Sequence, residues 1–138
     1  MIGLDTNVLA RYFIVDESDA EAEHQHQAAR RLIESGQPLM VSKSVILELE
    51  WLMRGYYGFK PNEVNQVLHQ LLAMSHVTVE DRQAVVDALA IAEAGLDFAD
   101  ALHHASYREC TVMASFDDKK FARRAKRLGL KPLVRVPK

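Results

Sequence analysis

The sequence has a single cysteine, Cys110, among 138 residues. A lone thiol can form no internal disulfide and has no second thiolate with which to build a metal site, so a disulfide scaffold and a cysteine zinc centre are both excluded. No stretch approaches the roughly 20 apolar residues of a membrane span. The N-terminus has no basic segment followed by a long apolar run, the pattern of a secretory signal. A cytoplasmic setting without membrane contact is therefore expected. Glycine and proline are sparse, at six and four, and no repeat, linker or low-complexity segment interrupts the chain. Residues 1–138 therefore read as one domain. At 49% hydrophobic and 26% charged, the composition is that of a globular protein.

Acidic residues are missing from Lys119 onward, where nine of the 17 basic residues stand: Lys119, Lys120, Arg123, Arg124, Lys126, Arg127, Lys131, Arg135 and Lys138. The preceding residues hold all 19 carboxylates against eight cations. A basic tail of this kind can neutralise the phosphates of a nucleic acid. It can equally be the solvated face of a helix whose Phe121, Ala125 and Leu128 turn inward.

Short apolar runs alternate with helical patterns. Strands are expected at Ile2–Leu4, Pro38–Ser42, His76–Val79 and Thr111–Ser115, with a fifth in "PLVRV". Helical signals begin near Val8, at Ser18 with capping-box spacing to Glu21, in "SVILELEWLMRGYY", at Pro61, near Asp81, in "DFADALHHASYREC" and in the basic segment, which Gly129 stops. This alternation predicts an α/β fold, a central parallel sheet of about four or five strands flanked by helices. In such folds ligands bind beyond the carboxyl ends of the strands.

Asp5 ends the first expected strand and Asp117 follows the fourth, so both fall on that rim. Each is also a good helix N-cap. Glu48 lies in a helix that is apolar nearly all round, where an ionised carboxylate needs a cation, a metal or a proton. A salt bridge to Arg54 is the alternative, and Glu50 is expected to be the more exposed of the two glutamates. In "LDFADALHHA", Asp97 suits an N-cap. Asp100 suits either the first turn or an inward-facing acidic pocket shared with Ala101 and His104. The six histidines show no regular zinc-ligand set. Four carboxylates, Asp5, Glu48, Asp100 and Asp117, would repel one another if they converged. A hard divalent cation resolves that conflict, and carboxylate oxygens suit Mg²⁺ or Mn²⁺.

With "LDTNVL", "SVILELEW", "DFADALHHA" and "SFDDKKF" in this order, the chain resembles the PIN-domain ribonucleases, and within them the VapC-type toxins of bacterial toxin–antitoxin pairs. The resemblance implies a single PIN-like domain and a metal-dependent endoribonuclease with catalytic acids Asp5, Glu48, Asp100 and Asp117. Asp5 and Asp100 would be the principal metal ligands, supported by Thr6, Asn7 and Ser115. It further implies an RNA substrate, a cognate VapB-type antitoxin and a homodimer, for which "VILELEWLM" and "VNQVLHQLLAM" offer apolar surface. Two rivals remain. One is a non-catalytic RNA- or protein-binding module of the same fold. The other, a Mg²⁺-dependent phosphohydrolase of the haloacid dehalogenase type, needs a second aspartate where Asn7 stands.

Overall fold

The alternation of short apolar and longer amphipathic runs becomes five strands and seven α-helices in the structure, a computed structural model that describes residues 1–138. The class is α/β, and every strand pairing is parallel. The chain divides into two compact units, Met1–Glu80 and Asp81–Lys138.

In Met1–Glu80 the strands β1 (Ile2–Gly3), β2 (Leu39–Val41) and β3 (Val77–Val79) form a ladder in sequence order, with Ile2 opposite Leu39 and Leu39 opposite Val77. Parallel neighbours require crossovers, and helices supply them: α1 (Thr6–Phe13) and α2 (Ala20–Ile33), then α3 (Lys43–Trp51) and α4 (Pro61–Leu72). The alternating pattern of β2 and β3 buries Leu39, Val41, Val77 and Val79. Leu9, Ile33, Ile46, Leu49, Met53, Leu68 and Leu71 complete the core. Each such side chain contributes about 1.5–3 kcal/mol by leaving water.

Two local details differ from expectation. The cap of α2 is Asp19, whose carboxylate accepts from the Glu21 N–H at 3.0 Å, while the Ser18 hydroxyl donates to Asp16. The helix expected to run unbroken from Ser44 to Tyr57 starts behind its Ser42 cap and passes at Leu52–Tyr56 into a π-helical turn. There the Trp51 indole lies against Gly55, so close that a Cβ at 55 would meet the ring at 3.2 Å. A larger residue at 55 would require the Trp51 ring to shift slightly.

In Asp81–Lys138, α5 (Arg82–Glu93) packs along α6 (Phe98–Ser106). Ala84, Ala88, Ala101 and Ala105 are buried, and these short side chains let the two helices approach closely. Helix α6 ends at Ser106, four residues before Cys110, which is exposed. Strand β4 (Val112–Ala114) pairs with β5 (Leu133–Arg135). Between them the basic segment forms a π-helical turn (Asp118–Ala122) and a short α7 (Arg123–Arg127) rather than one long helix. Phe121 and Ala125 are buried as expected, whereas Leu128 is exposed. Gly129, at φ +69°, ends the segment in a conformation that other residues rarely adopt.

Candidate functional site

Asp5 stands where β1 has ended and α1 begins. Its extended backbone makes it the N-cap, and its Oδ1 accepts the Thr6 N–H at 2.8 Å. The cap engages one carboxylate oxygen, and the side chain remains exposed. Thr6 contributes its backbone N–H to this turn, not its hydroxyl. Its Oγ1 is buried and has no hydrogen-bond partner. Asn7 is exposed and lines a groove of about 300 Å³ with Val8, Arg11, Gln25 and Ala28. Helix α1 packs on α3, the helix that carries Glu48.

The two glutamates of α3 exchange the positions expected of them. Glu50 is buried, at 4% exposure, and Glu48 is exposed. The buried stripe is Ile46, Leu49, Glu50 and Met53, rotated one residue from the stripe through Val45 and Leu52 that would have enclosed Glu48. Arg54 pairs with Glu50, Nε to Oε2 at 2.8 Å, four residues along the helix. The salt bridge considered for Glu48 thus belongs to Glu50. Glu48 is left at the surface, where a ligand or solvent can reach it.

In the second unit Asp97 caps α6, its carboxylate accepting the Asp100 N–H at 3.2 Å. Asp117 caps the π-helical turn by accepting the Lys120 N–H at 3.0 Å, and its own N–H donates to the Ser115 Oγ at 3.1 Å. Ser115 therefore holds Asp117 in place. Its neighbour Asp118 is committed elsewhere, paired with Arg123 at 2.8 Å. Burial raises the pKa of Asp100 from its ordinary value, and the negative charges of Asp97 and Asp117 raise it further, while His103 opposes them. The structure thus brings Asp100 and Asp117 together and adds Asp97, which the sequence marks only as a cap.

The histidines serve the fold. Because a carbonyl only accepts, the ring nitrogens of His26, His76 and His104 donate to the carbonyls of Arg11, Ile33 and Pro132, at 2.8, 2.7 and 2.8 Å. His104, expected near the acidic pocket, is 2% exposed and stands edge-on to Phe121. No group of three or more His, Cys, Asp or Glu side chains could by itself hold a metal ion. The chemistry of the acids in the second unit, though not their arrangement as a ready-made set, is that of hard-cation ligands. Asp97, Asp100 and Asp117 offer only oxygen, their mutual repulsion is what a cation would relieve, and Mg²⁺ usually takes one or two carboxylates and keeps several waters.

No curated protein matches the chain. The model of the PIN domain family matches residues 2–127, which span most of both units. The chain belongs to the PIN-domain family. PIN domains are generally metal-dependent nucleases, so nucleic acid is the expected class of partner. No helix is long and apolar enough to cross a membrane.

Proposed function

We propose that the chain is a Mg²⁺- or Mn²⁺-dependent endoribonuclease, residues 1–138 forming one PIN domain, and that it is the VapC-type toxin of a toxin–antitoxin pair. The observation that carries this reading is the gathering of acids in a PIN-family chain, where Asp97 and Asp117 act electrostatically on the half-buried Asp100 at the start of α6. A bound cation would relieve the repulsion among these carboxylates.

Asp5 and Asp100 are the proposed metal ligands, and Glu48 and Asp117 complete the set. When bound, the cation supplies the positive charge that keeps these carboxylates ionised and polarises the scissile phosphodiester and the attacking water. Glu48 and Asp117, as carboxylates, would accept hydrogen bonds from the attacking water. Attack would form the new P–O bond as the bond to the leaving ribose oxygen breaks, the proton lost by the attacking water passing to one of these carboxylates and a solvent water protonating the leaving oxygen. Ser115 acts through Asp117 by fixing its backbone. The caps at Asp5 and Asp117 set both carboxylates before any ligand arrives, which preserves geometry at little entropic cost.

A VapB-type antitoxin that inserts a basic side chain among these carboxylates, a homodimer and a cytoplasmic location belong to the same reading. The apolar residues Val64, Leu68, Leu71 and Leu72 of α4 are buried in the core. The surface available for such partners near α3 is instead Trp51 and Tyr56, 55% and 71% exposed.

The test is hydrolysis of single-stranded RNA and of p-nitrophenyl phosphate by protein freed of any antitoxin, with Mg²⁺ and with EDTA. Metal-dependent cutting of RNA alone supports the proposal. Turnover of the small ester alone would indicate a phosphohydrolase, and RNA binding with no turnover would indicate a non-catalytic module.

A further inference from the structure

Phe116 lies between β4 and the π-helical turn, and 81% of it is exposed to solvent. An isolated exposed apolar residue is ordinary in a mobile loop. This one is held firmly. The Ser115 N–H donates to the Arg135 carbonyl at 3.0 Å on one side. On the other, Asp117 is fixed by its bond to Ser115 Oγ, by its cap on Lys120 and by its carbonyl, which accepts the Ala122 N–H at 3.0 Å. Ser115 and Asp117 are bonded to each other across Phe116, so the ring is presented outward by a fixed turn.

Its surroundings identify what it would bind. Asp117, the next residue along the chain, belongs to the proposed acid set, and its position is fixed by the same turn that carries Phe116. Lys119 and Lys120 are exposed on the turn that follows. Asp118, the acid beside them, is paired with Arg123 and leaves their charge to act outward. The residues around Phe116 in sequence, Ser115 and Asp117 to Lys120, are all polar or charged. Protein interfaces favour contiguous apolar patches. An exposed aromatic face with two lysines on the turn that follows it instead matches the recognition of unpaired nucleotides, in which the ring stacks on a base and the cations meet phosphates.

We infer that Phe116 is a stacking platform for an unpaired base of the RNA strand beside the scissile bond, with Lys119 and Lys120 taking adjacent phosphates. The inference rests on the endoribonuclease reading. Phe116 is a positioning residue: it fixes the strand and takes no part in bond breaking.

The experiment measures binding of a short fluorescent single-stranded RNA in Ca²⁺, and cleavage of the same RNA in Mg²⁺, for wild type and for Phe116→Ala, Phe116→Leu and Phe116→Trp. Because the ring is exposed, all four proteins should melt alike. Base–aromatic stacking predicts that Phe116→Ala weakens binding by roughly 5- to 100-fold and raises KM similarly, with kcat nearly unchanged. Phe116→Trp restores affinity and Phe116→Leu does not. RNA carrying an abasic site at the stacked position binds wild type and Phe116→Ala equally. Equal affinity of wild type and Phe116→Ala for intact RNA overturns the inference, as does a fall in kcat without a rise in KM, or rescue by Leu. Failure of the wild type to cut RNA refutes the nuclease reading instead, and the binding comparison still decides the role of Phe116.

Discussion

Replacing Asp100 by Asn should make the protein more stable at neutral pH when no divalent cation is present, although it removes a proposed metal ligand. The folded-state pKa of Asp100 is raised by burial and by the charges of Asp97 and Asp117. Folding therefore favours the protonated form. The contribution of this carboxyl is fully favourable below its unfolded pKa, near 3.9, and is lost as pH rises through the higher folded value. At pH 7 the ionised group opposes folding, and asparagine, which cannot ionise, does not. Two like-charge contacts between partly exposed groups are worth about 0.2–0.5 kcal/mol each, and partial desolvation adds a similar amount. The sum is about 1 kcal/mol, or roughly 3–5 °C in Tm for a chain of this size. The cap at Asp97 survives, because it accepts from the backbone of residue 100. Thermal melts in EDTA should show the variant ahead at pH 7 and the gap closing toward about pH 4. Saturating Mg²⁺ should stabilise the wild type by about 2.7 kcal/mol at a hundredfold excess over Kd, and the variant by less. A variant less stable than wild type at pH 7 in EDTA would refute the argument.

The face assignment in α3 is checked by comparing Glu50→Gln with Glu48→Gln. The first should lose about 1–2 kcal/mol in denaturant titration by weakening a buried ionic contact, while the second melts like wild type and loses activity. Thr6→Val replaces a buried hydroxyl that has no partner with an isosteric methyl, and should be neutral or stabilising by up to about 1 kcal/mol; a clear loss would mean that the hydroxyl is satisfied in solution. Arg124→Glu and Lys126→Glu, both exposed on α7, should weaken RNA binding and flatten its dependence on log salt concentration by about one unit per contact. An unchanged slope would leave the basic segment as a solvated face.

Legibility in the sequence followed the strength of the local signal. Pro61 opens α4 and Gly129 ends the basic segment because their backbone preferences are intrinsic. The α/β class was readable because apolar period and turn residues agree along the chain. Glu48 and Glu50 were not separable: a helix apolar nearly all round has no strong moment, and a rotation of one residue decides which carboxylate is enclosed. The π-helical turn at Leu52–Tyr56, where the Trp51 ring lies beside Gly55, is a local irregularity that a 3.6-residue period does not encode. For the candidate site, the places of Asp100 and Asp117 in the expected elements mark them, whereas the pairing of the neighbouring Asp118 does not show in the sequence. In the structure Asp118 pairs with Arg123 and Asp117 caps the turn. Asp97 resembles any N-cap in sequence, and its effect on Asp100 emerges only from the folded turn.

The most direct test of the central claim is cleavage of total cellular RNA in Mg²⁺ and in EDTA by wild type and by Asp5→Asn, Glu48→Gln, Asp100→Asn and Asp117→Asn, each shown to be folded. The account predicts discrete cuts by wild type that require the metal and vanish or fall at least about a hundredfold in Asp5→Asn and Asp100→Asn, with marked losses in the other two. Undiminished cutting by Asp5→Asn or Asp100→Asn, or cutting by wild type that persists in EDTA, would contradict it.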